Sequence, residues 1–180
     1  MKKILVLFTS LILIIGLCAC SGGGLFASPT PTPIPDISPM DILASSDASE
    51  FVGYEVVADG DIVVEGDSKS IVYVSNPKGK KDSVTVKITQ FSDTLSKDEI
   101  WNRYESGRVK RTSAEFVEGL GTDAYIAFPS IHIYDRGCEI TISAGSGNDD
   151  EQKELLKRIG ERAVMNFQRI ITDDTAAEQK

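Results

Sequence analysis

Ile131-His132-Ile133-Tyr134-Asp135-Arg136-Gly137-Cys138-Glu139-Ile140-Thr141-Ile142 reads as two β-strands and the turn between them. The β-branched residues recur every second position on both sides of Asp135-Arg136-Gly137, a period that only a strand satisfies. The alternation puts Ile131, Ile133, Cys138, Ile140 and Ile142 on a packed face and His132, Glu139 and Thr141 on a solvent face. A hairpin with one apolar face needs something to cover it, so the flanking sequence is expected to supply helices.

It does so directly downstream. Ser146-Gly147-Asn148 breaks the strand, and Asn148 with Glu151 three residues on predicts a helix cap. The helix that follows carries Leu155, Leu156, Ile159, Ala163, Val164, Phe167, Ile170 and Ile171 along one stripe. Upstream, Ala124 to Phe128 predicts a strand stopped by Pro129. Ser96-Lys97-Asp98-Glu99 is a capping box opening a helix to about Lys110, with Ile100, Trp101 and Tyr104 on one side. Gly107 inside that helix predicts close packing or an early end.

Further back, Val84, Val86 and Ile88 alternate with Thr85, Lys87 and Thr89, another half-buried strand. It is preceded by a basic tip at Lys80-Lys81 and a turn at Asn76-Pro77-Lys78-Gly79. Strand-like runs at 54–58, 62–65 and 70–75 are separated by Asp59-Gly60-Asp61 and Glu65-Gly66-Asp67. Ser38-Pro39-Met40-Asp41 predicts the first helix start, turning Met40, Leu43 and Ala44 to the core. The order is helix, strands, helix, strands, helix. The fold class expected is α+β, an antiparallel sheet sandwiched with helices.

The chain resembles the PsbP-like fold, and more closely small secreted bacterial lipoproteins with a Gly-Leu-Gly-Asp-Glu-Ala-Tyr-like turn before a strand. Gly119, Leu120, Gly121, Ala124 and Tyr125 match that turn, and Thr122 and Asp123 replace its two acids. The resemblance spans about residues 38–171 and implies a fold without implying an activity.

The N-terminus carries its own message. Lys2 and Lys3 precede an apolar run from Ile4 to Leu17, the layout of a secretory signal peptide and too short for a comfortable membrane span. Leu17-Cys18-Ala19-Cys20 resembles the bacterial lipobox. The resemblance implies cleavage between Ala19 and Cys20 and a diacylglycerol on the Cys20 thiol, with Cys18 departing from the commoner Ala or Ser. Two acyl chains meet the requirement for stable anchoring. Residues 21–37 are rich in Gly, then Pro and Thr, and read as a tether. The expected organisation is a signal peptide over 1–19, lipidated Cys20 and linker over 20–37, a globular domain over 38–171 and a disordered polar tail over 172–180.

The leader holds two of the 19 basic residues and none of the 27 acids, so the chain from Cys20 carries 17 against 27, a net −10. That acidity argues against nucleic acid and against a charge-driven peripheral membrane contact. Once Cys20 is acylated, Cys138 is the remaining thiol and no internal disulfide can form. His132 is the sole histidine. It is expected on the solvent face of a strand, away from Cys138, with no Gly-x-Ser-x-Gly elbow to supply a nucleophile.

Ser75-Asn76-Pro77-Lys78 has Ser-x-x-Lys spacing but sits in a turn rather than at a helix start. One histidine and one thiol cannot make a structural zinc site. Asp59, Asp61, Glu65 and Asp67 lack EF-hand spacing, because Val63 and Val64 stand where an oxygen ligand and glycine belong. No phosphate loop stands between strand and helix. Trp101, Tyr104, Tyr125 and Tyr134 are read as core rather than as the rim of a ligand groove.

The reading is therefore a lipid-anchored cell-envelope protein on the extracytoplasmic face, held in the membrane through its N-terminal lipid. Its domain is non-catalytic, needs no cofactor or metal, and binds a protein partner or a small ligand but no nucleic acid. The alternatives are an envelope hydrolase or transferase with an unrecognised site, or a ligand-sensing accessory to a transporter or receptor.

Overall fold

Eight antiparallel strands in the computed structural model carry out what the hairpin announces. The structure describes residues 34–79, 82–91 and 95–178, and Ile34–Lys180 is one compact unit. The lipobox residues Leu17, Cys18, Ala19 and Cys20, the signal peptide and the Lys80-Lys81 tip lie outside the described residues.

The strands are β1 (Val56–Ala58), β2 (Val63–Glu65), β3 (Ser68–Ser75), β4 (Val84–Gln90), β5 (Glu115–Phe116), β6 (Asp123–Ala127), β7 (Ser130–Asp135) and β8 (Cys138–Ala144). Their order is β1-β3-β4-β8-β7-β6-β5, with β2 also paired to β3. The β4–β8 pairing, Val86 opposite Ile142 and Ile88 opposite Ile140, joins the N-terminal strands to the C-terminal ones. Helices α1 (Pro39–Ile42), α2 (Ser45–Val52), α3 (Lys97–Val109) and α4 (Asp150–Glu178) complete the fold. The class is α+β.

The hairpin register follows the alternation: Ile131 faces Ile142, Ile133 faces Ile140 and Asp135 faces Cys138. Both turn residues take positive φ, 47° at Arg136 and 83° at Gly137, as a two-residue hairpin turn requires. All five residues expected inside are buried. Over them lies α4, whose Leu156, Ile159, Ala163, Val164, Phe167 and Ile171 share one core with the sheet and with Ile42 and Leu43. At Gly160 the helix comes so close that a Cβ would stand 2.8 Å from Ile131 Cδ1.

The opposite face of the sheet is not wet along its whole length. There α3 packs Ile100 and Tyr104 against Tyr125, Ala127 and Tyr134, a second core separate from the first. Its capping box forms as expected: Ser96 N donates to Glu99 Oε2 at 2.8 Å and Glu99 N to Ser96 Oγ at 3.3 Å. At Gly107 a Cβ would stand 3.6 Å from Tyr125 Oη, an ordinary contact, and the helix ends two residues later at Val109.

Four details differ from the expectations. Ile34–Ile37 belong to the folded unit rather than to the tether. Ile37 is buried and Ile34 packs on the core, while the Gln90 amide accepts from Ile37 N (2.8 Å) and donates to Pro35 O (2.7 Å). Met40 is 43% exposed. The first helix is one turn long and Leu43 is already extended, so helical spacing no longer governs which side chains point inward. The cap of α4 is Asp149, whose Oδ1 accepts from Gln152 N at 2.9 Å, one residue after Asn148. That helix runs past Ile171 to Glu178, through most of the stretch read as a polar tail.

Candidate functional site

Among the described residues two places concentrate polar chemistry. The first is buried under the C-terminal end of α3. His132 is 4% exposed, not solvent-facing, because the face opposite the isoleucines is roofed by the segment that follows α3. Its ring stacks on Tyr125, with centroids 4.6 Å apart and planes 12° from parallel. Arg111 Nη1 lies 2.9 Å from Nε2 and 2.7 Å from Tyr125 Oη. A guanidinium can only donate, so Nε2 accepts and the proton sits on Nδ1. Nδ1–H then faces Glu139 Oε1 at 3.2 Å and Thr141 Oγ1 at 3.1 Å.

Burial lowers the His132 pKa, and Arg111 adds to the lowering against the opposing pull of Glu139. The imidazole is neutral and both nitrogens are engaged. What Nε2 meets is a cation, not a hydroxyl or thiol, so this His–Glu pair pins Arg111 to the sheet instead of activating a nucleophile. Cys138 lies on the other face, as expected, where burial pushes its thiol up to about 12.

The remaining sequence candidates fall apart in space. Ser75 Oγ bonds Pro77 O in the turn, while Lys78 pairs with Asp59 at 2.7 Å, so no Ser–Lys dyad forms. Among the described residues no three of the His, Cys, Asp and Glu side chains converge as metal ligands. Tyr104, Tyr125 and Tyr134 are core, with Trp101 edge-on to Tyr134 at 5.5 Å. Burial drives the Tyr104 phenol well above its ordinary value, and its hydroxyl donates to Asp123 at 2.9 Å.

The second place is the open groove between α4 and the α1–α2 segment. It comprises three adjoining clefts of about 530, 410 and 580 Å³. Phe51 and Arg158 are shared by the first two, Arg162 and Met165 by the second and third. Two guanidinium groups from successive turns of α4 lie over the Phe51 ring, Arg158 at 5.5 Å and Arg162 at 5.6 Å from its centroid. Arg162 is also held by Asp47 at 2.5 Å, tying α4 to α2. Asp82, Asp149 and Glu154 rim the first cleft, and exposed Met40 and Met165 line the third.

The groove therefore places Met40, Phe51 and Met165 beside charged side chains in three open clefts. Sequence reasoning missed it. Phe51 carried no motif, and the clue was only an aromatic residue left over after α4 had filled the core. No family model matches this chain, and it finds no match among curated proteins or solved structures.

Proposed function

We propose that this is a lipid-anchored cell-envelope protein whose α+β domain is a non-catalytic binding module outside the cytoplasmic membrane. The observation that carries the reading is the run from Lys2 to Cys20, a charged start, an apolar stretch and Leu17-Cys18-Ala19-Cys20. Diacylglycerol on Cys20 supplies the anchor, and the Gly/Pro/Thr-rich stretch is the tether between anchor and domain. The finer fold reading, a PsbP-like arrangement, draws its support from the element order and from the Gly119–Tyr125 turn.

The Phe51 groove is the binding surface in this reading, and its length favours an extended segment of a protein partner over a small molecule. Crosslinking in native cells, with recovery through a C-terminal tag, tests it. The anchored chain is expected to bring down one stoichiometric partner that Phe51→Ser loses while remaining folded and in the membrane. Recovery of the same partner with Phe51→Ser, or of none with the native chain, would remove the groove from the account.

A further inference from the structure

Among the described residues, the end of α3 gathers cations on this acidic chain. Residues 108–111 read Arg108-Val109-Lys110-Arg111, three cations in four positions at the end of α3. Arg108 pairs with Glu105 at 2.9 Å and Glu115 with Lys153 from α4, while exposed Glu118 stands two residues past Phe116, so Lys110 and Arg111 are the cations this surface offers. Among the cations stand two large apolar side chains facing water, Val109 at 68% and Phe116 at 60% exposed. Arg108 lies over the Phe116 ring at 4.5 Å, which joins the helix end to strand β5 as one surface. Arg111 is held in place from below by His132 and Tyr125.

Complementing the helix dipole accounts for a cation such as Lys110 at the C-terminal end, but not for a phenylalanine and a valine left in solvent beside it. Cations ringing exposed apolar groups are what an anionic lipid surface takes: phosphate headgroups meet the guanidinium and ammonium groups while the ring and the branched side chain enter the interface. An acidic protein surface would take the charges but would leave Phe116 unexplained.

We propose that the α3 end and β5 form a docking surface for anionic phospholipid. It rests on the lipid-anchor reading for the bilayer to be within reach. From Cys20 to Ile34 the chain spans no more than about 50 Å fully extended, which keeps the domain close enough to lie down on its own membrane. The net charge of −10 belongs to the whole chain from Cys20, whereas this surface is local, with Lys110 and Arg111 adjacent at the end of α3. The Phe51 groove, built on α2 and α4 rather than on α3, stays open when the α3 side faces lipid.

The test uses residues 34–180, which carry both cores and the described hydrogen bonds within themselves and lack Cys20. Acylation therefore plays no part in the outcome, and failure here leaves the anchor itself standing. Sedimentation with vesicles of phosphatidylcholine alone is compared with vesicles containing an equal share of phosphatidylglycerol. Binding is expected only to the anionic vesicles and should weaken as salt is raised. Lys110→Ser should loosen it about fivefold, as for one basic residue at an anionic surface. Phe116→Ser should weaken binding by a similar factor, and Met165→Ser in the groove should leave it unchanged. No binding to the anionic vesicles overturns the proposal. So does binding indifferent to Phe116→Ser but matched on polyglutamate, which would assign the patch to an acidic protein.

Discussion

His132 shows how much one side chain depends on a layer that its own strand does not contain. The isoleucines on either side of it dictated a face, and the face was right; what covered that face came from the segment after α3. Neutral His132 accepting from Arg111 has a consequence for stability. Burial lowers its folded pKa, whereas in the unfolded chain it titrates near its ordinary value of about 6.5. Below that value and above the folded pKa the unfolded state binds more protons, so stability falls as pH falls. Urea midpoints should drop from pH 7.5 to pH 5.5, and His132→Gln should flatten that part of the curve. An unchanged slope in the variant would mean that other groups carry it. Gly121 is fixed by its surroundings in the same way: its φ is 58° and a Cβ there would lie 2.8 Å from Tyr134 O, so the turn before β6 requires glycine at this position.

At the scale of elements, periodic signals were easy to read and short or covered ones were not. The stripe of α4 and the alternation of β4, β7 and β8 each repeat over many residues, and the capping box of α3 is a fixed four-residue motif. Strand β5 has two residues, α1 is a single turn, and neither length supports a period. The end of the tether was misplaced for a related reason: Pro-Ile-Pro looks like linker until Gln90, more than fifty residues away in sequence, bonds both Pro35 and Ile37. Gln90→Leu should cost about 2 kcal/mol, because it leaves the Ile37 amide buried without a partner. A chain beginning at Ser38 should lose about 3 kcal/mol relative to one beginning at Ile34, for the lost burial of Ile37. Denaturant unfolding of the three chains checks both, and equal midpoints would return 34–37 to the tether.

For the whole molecule, the α+β class followed from the order of elements, while the candidate surfaces did not. The groove around Phe51 is assembled from segments distant in the chain, so no local motif announces it, whereas the cationic end of α3 is a local run whose meaning depends on Phe116 being left exposed beside it. The destination of the protein is the reverse case, since it rests on a local stretch of twenty residues. That stretch bears the central claim, and labelled fatty acid fed to cells making the native chain or its Cys20→Ser variant tests it. The account predicts label on the native protein in the membrane fraction, and an unlabelled, uncleaved precursor for the variant. Label and membrane retention in Cys20→Ser, or an unlabelled native protein released from the cell, would contradict it.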